Sequence, residues 1–600
     1  MVFNIRVYIT KSTIGIFFCL LVAFLFAKYI SQSPNQIVLS SEPKEYNPCC
    51  DFPCENDGVC VNLANNTYYC DCTGTNYHGL NCHIPSWSEW VKEKLIPSPD
   101  ITHKLLTRFP WLWAIVNRFT PLQRMMMKYL YLTRGGLIDA PSLYESDHTY
   151  ITLDAHYNES YFARMLPPVP MDCPTQMGTK GPKKLIPAEE LFKRMFLRRE
   201  FKPEPHDSNL LFQYYAQHFT HQFFRTDYAS KGKLTKGKWG VDVSNIYGLT
   251  EETRQGLRSK VDGKLKTKVI NGGEFPPLLK DVEGVTMDYP PNAPIPDEAK
   301  FALGHPFFAL LPGLFVYATI WVREHNRVCD ILKAEHPHWD DEQLYQTARL
   351  IILGEVITIT IEDYVQHLSQ YRLKLTFNPE LVHGTEFQFS NRISAEFDQL
   401  YHWHPLVPDG IKYYTIMDMA FSNQAVFSHG LESFIEAMAT NRAGALTARN
   451  HPAVTLPIFA KAIRNSRYIR LQGFNQYRKR FNLTPYKSFK ELTGEDVLSK
   501  ELEDIYKDID AVEFFVGMLA EEPGASVTGL TMVNVGGPMS LKGLISNPIC
   551  SPGWWKPSTF GGEVGFNIVK TASLKKLFCN NIKGPCDHIA FSVPKNKTMD

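Results

Sequence analysis

The chain has 600 residues and a formal net charge of +1, and 44% of its residues are hydrophobic while 21% are charged. At roughly 150 residues per domain, this length allows about four folding units or one large core. The balanced charge argues against the basic surface of a nucleic-acid-binding protein, and the composition is not that of a disordered chain. We therefore expect a folded protein that binds no nucleic acid.

The N-terminal segment, residues 1–30, contains an uncharged and mostly apolar stretch at residues 13–27, preceded by Arg6 and Lys11. A bilayer span needs about 20 residues, so this shorter stretch is typical of a secretory signal peptide. Because no clear small-x-small cleavage motif follows it, a retained signal-anchor is the alternative. Both place the rest of the chain outside the cytosol.

Residues 46–83 form a cysteine-rich segment. Seven of the 13 cysteines lie in it: Cys49, Cys50, Cys54, Cys60, Cys70, Cys72 and Cys82. Such density predicts a disulfide framework made in an oxidising compartment, whereas the spacing does not fit paired zinc ligands. The spacing from Cys54 to Cys82, with Gly79 before the last cysteine, resembles an EGF-like module.

Six cysteines close an EGF-like module, so this resemblance leaves one of Cys49 and Cys50 to bridge elsewhere, with Cys173 as the candidate partner. Cys579 and Cys586 are close enough in sequence to pair with each other. Two cysteines then remain as free, buried thiols: Cys329 and Cys550.

Four N-glycosylation sequons agree with a lumenal address: Asn65, Asn158, Asn482 and Asn596. The last four residues, KTMD, are not a KDEL-type signal. Retention in the endoplasmic reticulum is therefore not expected to depend on this tail.

Residues 84–134 combine aromatic and basic side chains. Four of the ten tryptophans lie here: Trp87, Trp90, Trp111 and Trp113. Prolines at positions 97, 99, 110 and 121 cut the segment into helices of a few turns. Such helices suit the headgroup region of one membrane leaflet. The composition is equally compatible with a helical subdomain packed on the core.

From about residue 185 onward, long apolar-periodic stretches dominate. They predict helices over residues 310–333, 341–368 and 420–439, and strand-like alternation is scarce. Residues 250–300, rich in Gly, Pro and Lys, predict a long loop. The expected fold class is mainly α-helical, with little sheet.

The first candidate reactive cluster is the sequence QHFTH at residues 217–221, in an aromatic helix predicted over residues 210–224. Gln217 and His221 are four residues apart and share a helix face, and His218 is three residues from His221. Spacing of this kind more often indicates hydrogen-bonded core histidines than metal ligands.

The second cluster is the sequence YHWHP at residues 401–405. Tyr401 and His404 are three residues apart, which predicts a phenol and an imidazole on one helix face, and Pro405 is expected to end that helix. No HExxH zinc motif occurs in the chain, and HxH alone is weak evidence for a metal.

Haem would account for both clusters. Haem peroxidases need one axial histidine and a distal acid-base group with a polar partner. His404 could be the first and His221 with Gln217 the second, while Tyr401 would be placed for one-electron oxidation. No CxxCH occurs, so c-type attachment is not expected.

With these motifs in order, the chain resembles the prostaglandin endoperoxide synthases, or cyclooxygenases, of the animal haem peroxidase superfamily. The resemblance rests on QHFTH at 217–221, WVREHNR at 321–327, YHWHP at 401–405 and MSLKG at 539–543. It implies an EGF-like module at residues 46–83, membrane-binding helices at residues 84–134 and a helical haem-peroxidase-like catalytic domain at residues 135–590.

Carried over position by position, the resemblance makes His404 the axial ligand of a haem b iron. His221 becomes the distal base with Gln217 beside it, and Tyr401 becomes the tyrosine that forms a radical and takes hydrogen from a fatty acid. These three roles imply a cyclooxygenase and a peroxidase activity on one haem.

The resemblance also implies a fatty-acid channel. Arg134 falls where the family binds the substrate carboxylate, Tyr371 lies at the same channel mouth, and Ser540 matches the serine acetylated by aspirin. The other positions implied to line the channel are Val365, Leu368, Phe397, Leu400, Val533 and Leu544.

Several positions depart from the family pattern. Asn534 stands where the family generally has Glu, Thr528 where it has Phe, and Gly537 where it has Ala. Phe515 occupies a position that is often Tyr, so no secondary tyrosyl radical can form there. The catalytic set is intact, and the chain is identified as a distant member.

The resemblance implies oxygenation of arachidonate, a C20 polyunsaturated fatty acid, with two O2 to prostaglandin G2, then reduction to H2. It further implies a homodimer on one leaflet, at the lumenal face of the endoplasmic reticulum or nuclear envelope. One alternative is a fatty-acid dioxygenase or peroxidase that does not cyclise its product. Another is a catalytically silent adhesion or receptor ectodomain, against which the presence of His221, Tyr401 and His404 argues.

Overall fold

The computed structural model describes residues 47–63, 66–138, 142–237, 240–291, 295–382, 392–412, 414–419 and 422–595. The predicted signal segment and the sequons at Asn65 and Asn596 lie outside these residues. The chain divides into two compact units, Met1–Pro48 with Asn62–Tyr68 and Cys49–Val61 with Tyr69–Asp600. Of the first unit, the described residues include the ends of strands β1 (Val59–Leu63) and β2 (Thr67–Asp71).

The predicted disulfide framework is confirmed. The pairs are Cys49–Cys60, Cys50–Cys173, Cys54–Cys70, Cys72–Cys82 and Cys579–Cys586. Cys50, rather than Cys49, is therefore the cysteine that bridges out of the cysteine-rich segment. Cys329 and Cys550 are free and buried, as predicted.

Four short helices follow, as the proline positions predict: α1 (Trp87–Leu95), α2 (Pro99–Thr107), α3 (Pro110–Arg118) and α4 (Thr120–Gly135). Prolines occupy the first positions of α2 and α3, where the missing N–H leaves no hydrogen bond unmade. The Ser86 hydroxyl accepts from the Glu89 amide and caps α1.

The rest of the chain is mainly α-helical, which confirms the predicted fold class. Its helices are α5 (Leu210–Thr220), α6 (Glu251–Leu257), α7 (Pro312–Glu335), α8 (Asp341–Ile359), α9 (Ala395–Leu400), α10 (Gln424–His429), α11 (Leu431–Thr440), α12 (Leu456–Tyr468), α13 (Phe474–Arg480), α14 (Phe489–Thr493), α15 (Asp496–Tyr506), α16 (Phe514–Ala520), α17 (Leu530–Ile545), α18 (Glu563–Lys570) and α19 (Leu574–Cys579). Helix α7 lies at the centre of the core and packs against α5 and α8. Single-turn helices cover Asp154–Tyr157, Ala188–Leu191, Ser244–Tyr247, Gln366–Ser369 and Ile416–Met419.

Sheet is confined, in the described residues, to two-stranded pairs. Beyond β1 and β2, these are β3 (Tyr77–His78) with β4 (Ile84–Pro85), β5 (Thr226–Asp227) with β6 (Leu234–Thr235), β7 (Lys268–Ile270) with β8 (Gly273–Phe275), and β9 (Gly410–Ile411) with β10 (Tyr414–Thr415). The last four pairs are antiparallel.

Helix α8 continues through a π-helical turn, Thr360–Val365, so that Asp341–Ser369 forms one helix of 29 residues. By length and composition it is the helix in the described part of the chain that could cross a membrane. However, 78% of its most apolar window is buried inside the fold. We therefore interpret it as a core helix.

Two predictions about elements are wrong. The helix predicted over residues 420–439 is two helices, α10 and α11, because Gly430 has a φ of +83° that a continuous helix cannot contain. Residues 250–300 are not simply a loop, since they contain α6, β7 and β8. The helices predicted over residues 310–333 and 341–368 are confirmed to within a few residues.

Candidate active site

Tyr401 follows directly after the last turn of α9. The Ser394 hydroxyl caps the start of this helix by accepting from the Phe397 amide, and the helix ends at Leu400. The prediction that Tyr401 and His404 share one helix face is wrong, because His404 begins a separate 3-10 turn, His404–Leu406. Pro405 has no backbone N–H and cannot donate the hydrogen bond to the Tyr401 carbonyl that a continuous α-helix would require.

The Tyr401 phenol is enclosed by aromatic rings and by the hydroxyl groups of Ser540 and Tyr364. Its oxygen lies 3.5 Å from Ser540 Oγ on α17. Its ring stacks on Trp403 with centroids 4.5 Å apart and meets Phe397 edge-on at 5.2 Å. Burial raises the pKa of the Tyr401 phenol, and hydrogen bonding to Ser540 and Tyr364 opposes that rise in part. The phenol is therefore protonated near neutral pH.

His404 is held as a neutral imidazole. Burial, followed by the charges that His402 and His221 would carry, lowers its pKa to about 3. Its Nδ1 is buried without a hydrogen-bond partner in the described part of the chain. A neutral imidazole is the form that binds iron, so the residue fits the role of an axial ligand of haem.

His221 is the residue after the last turn of α5, which ends four residues earlier than predicted. Its Nδ1 lies 2.6 Å from the Gln217 carbonyl oxygen, so Nδ1 carries the proton and Nε2 is left as an acceptor. Gln217 thus orients His221 through its backbone. Burial lowers the pKa of His221, the hydrogen bond to the Gln217 carbonyl opposes this in part, and the charges of Arg225 and His402 add to the lowering, so that the pKa is about 4. The electrostatic effects of His221 on His404 and of His402 on His221 show that the two histidine clusters converge.

A second histidine, His305, lies beside His221 and was missed in the sequence. Their ring centroids are 5.0 Å apart in an edge-to-face arrangement. His305 Nδ1 accepts from the Phe307 amide at 3.1 Å. His218, by contrast, is a core residue: it is buried, and the Asn245 amide donates to its carbonyl at 2.8 Å. Only a Gly-His-Pro turn marks His305 in the sequence, and such a turn carries no functional signal.

The expected channel mouth brings together residues from α2, α4 and α17. Arg134 is 93% buried and donates through Nη1 to Asn534 Oδ1. His103 lies close enough to Arg134 to feel its charge, and burial followed by that charge lowers the pKa of His103 to about 4. The centroids of the His103 and Tyr371 rings are 5.8 Å apart, in an edge-to-face arrangement. His103 was also missed, since nothing in its helix distinguishes it from a core histidine.

The other predicted channel positions lie on three helices. Phe397 and Leu400 lie on α9, while Val533, Ser540 and Leu544 lie on α17, which packs against α9. Val365 and Leu368, both half-buried, lie on the last turns of the long core helix. A Cβ added at Gly537 would meet nothing within 4 Å, whereas one at Gly536 would lie 3.4 Å from Leu400 Cδ1. Open space therefore lies beside Gly537.

The sequence is similar to known proteins over most of its length. The profile of the animal haem peroxidase family matches residues 238–585. The chain is 50% identical over 554 residues to prostaglandin G/H synthase 2 of Bos taurus, covering 91% of each chain. It is 49% identical over 572 residues to prostaglandin G/H synthase 1 of Mus musculus, covering 94% of each.

Solved structures of more distant proteins share the fold. Fatty acid alpha-dioxygenase of Oryza sativa aligns with a TM-score of 0.57 at 17% identity, covering 83% of this chain and 99% of that one. Peroxidase A of Dictyostelium discoideum aligns with a TM-score of 0.56 at 18% identity, covering 72% of this chain and 94% of that one. These likenesses concern the fold alone.

Proposed function

Because the chain belongs to the prostaglandin G/H synthase family of the animal haem peroxidases, we propose that it converts arachidonate to prostaglandin G2 and then to prostaglandin H2. The chain is accordingly an oxidoreductase with cyclooxygenase and peroxidase activity that uses haem. Its substrates are a fatty acid, O2 and a hydroperoxide. The identity of the fatty acid as arachidonate and of the cofactor as haem b belongs to the proposal.

The observation that carries the proposal is the position of Tyr401. Its oxygen lies 3.5 Å from Ser540 Oγ on the helix that also carries the proposed channel residues. Tyr401 precedes His404, whose imidazole is neutral, by three residues in the sequence. The phenol thus contacts the helix of the proposed fatty-acid site and is close in sequence to the proposed haem ligand.

In the peroxidase half of the proposed reaction, His404 would hold haem by its imidazole. When bound, haem supplies reduction of the hydroperoxide O–O bond and the capacity for one-electron oxidation. His221 Nε2 takes the proton of the hydroperoxide, because its Nδ1 is occupied by the Gln217 carbonyl. Its lowered pKa keeps it neutral and ready to accept that proton.

In the cyclooxygenase half, Tyr401 loses an electron and its phenolic proton and becomes a radical. The doubly allylic C–H bond of the fatty acid then breaks, and its hydrogen forms a new O–H bond on the Tyr401 oxygen. Two O2 add to the resulting carbon radical, and the peroxyl radical so formed takes the hydrogen back from the Tyr401 O–H, which gives the hydroperoxide and restores the Tyr401 radical. Aromatic packing by Trp403 and Phe397 holds the phenol in one orientation for this transfer.

The substrate is positioned by the mouth and the channel. Arg134 binds the carboxylate beside Tyr371, because a buried guanidinium needs an anionic partner. The chain of the fatty acid lies along the residues on the three helices: Val365, Leu368, Phe397, Leu400, Val533, Ser540 and Leu544. Ser540 faces the Tyr401 phenol, so an acyl group on its hydroxyl would obstruct the approach to that phenol.

The proposal includes the location of the protein. Helices α1–α4 (residues 84–134) bind one leaflet of the endoplasmic reticulum or nuclear envelope from the lumenal side, with residues 46–83 as an EGF-like module and residues 135–590 as the catalytic domain. Large apolar side chains on these helices and between them are exposed: Trp87, Trp90, Leu95, Ile101, Trp111 and Phe119. Asn158 and Asn482 are exposed and available for glycosylation. A homodimer is proposed from the family alone.

Product analysis tests the proposed function. Purified, haem-loaded protein is supplied with arachidonate while O2 uptake and peroxidase turnover are followed together. We expect a cyclic endoperoxide and, with a reducing cosubstrate, its alcohol. A linear hydroperoxide as the main product would instead indicate a dioxygenase that does not cyclise, and absence of a Soret band after haem addition would contradict both.

A further inference from the structure

The channel mouth contains a buried cation whose partner is neutral. Two other deeply buried arginines, Arg164 and Arg478, each pair with a buried carboxylate, Glu396 and Glu521 respectively. Arg134 is 93% buried as well, but its hydrogen-bond partner is an amide oxygen. Within the residues that the structure describes, no carboxylate pairs with it.

Asn534 is held in the orientation that makes it the partner of Arg134. Its Nδ2 donates to the Leu530 carbonyl at 2.8 Å, one turn earlier on α17. Its Oδ1 is thereby turned towards the guanidinium and accepts from Arg134 Nη1. Arg134 Nη2 is buried and has no hydrogen-bond partner in the described part of the chain. The Nη2 group of the guanidinium is therefore left for a ligand.

His103, the side chain beside Arg134, does not neutralise the guanidinium. His103 is buried, and neither of its ring nitrogens has a hydrogen-bond partner among the described residues. Burial and the charge of Arg134 hold its pKa near 4, so it is neutral at physiological pH. Arg134 thus carries a charge with which no carboxylate of the described residues pairs, at a position with little access to water, where an isolated charge is costly.

We infer that Asn534 makes the channel selective for ionised fatty acids over their uncharged esters and amides. This inference rests on the proposed function, in which Arg134 binds the fatty-acid carboxylate. A carboxylate side chain at position 534 would neutralise Arg134 and compete with the substrate anion. An amide leaves the full charge for the ligand, so the free acid gains an ion pair that an ester cannot form. Asn534 is therefore a specificity-determining residue.

Binding measured with matched ligands and matched variants tests the inference. The ligands are arachidate, a saturated C20 acid that cannot be oxygenated, and its methyl ester, each displacing a fluorescent fatty acid from the haem-loaded full chain. The variants are Asn534→Glu and Asn534→Gln, which have the same shape and differ by one charge. Asn534→Asp provides a second charged variant of the same size as wild type.

We expect wild type and Asn534→Gln to bind the acid at least about tenfold more tightly than the ester, since a charged hydrogen bond is stronger than a neutral one by that order. Asn534→Glu and Asn534→Asp should lower the affinity for the acid about tenfold and change the affinity for the ester by no more than about twofold. Arg134→Gln should abolish the preference. Thermal unfolding midpoints of the variants verify that each is folded.

Equal acid preference in Asn534→Glu and Asn534→Gln would overturn the inference, as would a wild type that binds acid and ester alike. Turnover of arachidonate and methyl arachidonate gives the second measurement, with the same expected pattern in KM. A protein that prefers the acid but forms no oxygenated product would contradict the proposed function and leave the inference intact, so the two failures can be told apart.

Discussion

At the scale of single residues, the radical role proposed for Tyr401 can be tested separately from the other roles in the site. Tyr401→Phe keeps the ring and its packing on Trp403 and removes only the oxidisable hydroxyl. We expect it to abolish oxygenation of arachidonate, while haem binding and peroxide reduction persist. O2 uptake and peroxidase turnover on the same preparation measure the two effects.

Tyr364 provides a matched control for this experiment. It is another buried tyrosine, close enough to Tyr401 for the two phenols to shift each other's pKa. Tyr364→Phe removes a buried hydroxyl from the same cluster and should retain oxygenation. Endoperoxide formation by Tyr401→Phe at the wild-type rate would show that the radical role belongs elsewhere.

The two histidines of the YHWHP sequence are also distinguished residue by residue. His404 is the proposed iron ligand, whereas His402 Nδ1 lies 3.1 Å from the Gln399 carbonyl and is occupied locally. His404→Ala should lose tight haem binding and both activities, and His402→Ala should retain the Soret band. Haem titration followed at the Soret maximum decides the matter, and the opposite result would reassign the ligand.

Helices α1–α4 expose large apolar side chains. The side chains of Trp87, Leu95 and Trp111 are 80%, 77% and 67% exposed, which is unfavourable in water unless lipid covers them. Helices α2, α3 and α4 also carry buried side chains, such as Leu106, Trp113 and Leu130, whereas α1 has none. Helices α2–α4 therefore pack on the core and also present apolar side chains to the outside, so the two alternatives from composition are compatible.

Replacing Trp87, Leu95 and Trp111 by Ser together should release the protein from membranes. Each side chain contributes about 1.5 kcal/mol or more when it enters lipid, so the triple variant should bind vesicles roughly a thousandfold less tightly. Vesicle flotation in low-salt buffer measures this, with Trp554→Ser as the control, because Trp554 is 58% exposed outside these helices. Release of wild type by salt alone would indicate purely electrostatic attachment.

At the scale of the whole molecule, several histidines are buried and neutral, and this makes the free energy of unfolding depend on pH. His325 on α7 is a clear case: its Nδ1 is 2.8 Å from the Tyr247 hydroxyl and its Nε2 is 2.9 Å from the Gly263 carbonyl. Burial lowers its pKa from 6.5 to about 4. The unfolded chain therefore takes up a proton below pH 6.5, while the folded protein does not until about pH 4.

The stability that His325 contributes is thus present above pH 6.5 and is lost as pH falls towards 4, by up to about 1.4 kcal/mol per pH unit. His325→Gln can replace both hydrogen bonds but does not titrate. Because it lacks the ring that packs against Tyr247 and Tyr345, it should be less stable than wild type at pH 7.5, and the difference should narrow at pH 6 and again at pH 5. Thermal unfolding midpoints of the haem-loaded proteins measure this, and a constant difference would contradict the assignment.

Much of this architecture could be predicted from the sequence. Cysteine spacing and proline positions act locally, so the cysteine-rich segment and helices α1–α4 followed from short stretches of chain. The long helix beginning at Asp341 followed from apolar periodicity. The motifs also identified Tyr401, His404 and His221 as candidates. The predicted helix ends were less accurate. Helix α5 ends before His221, whose side chain bonds back to the Gln217 carbonyl, and α9 ends before Tyr401, whose N–H bonds to the Asp398 and Gln399 carbonyls. Apolar periodicity does not predict such contacts.

By itself the sequence determined which residue types are present for haem, radical and anion chemistry, and that the chain folds as a mainly helical protein. Only the tertiary structure decided which of them meet. Arg134 and Asn534 are 400 residues apart, and Tyr401 and Ser540 are 139 apart. Such pairs form because packed helices bring distant positions together, and no local pattern encodes a contact of that range. The same reason explains why Cys50 rather than Cys49 reaches Cys173, and why His305 appears beside His221 only in the folded chain.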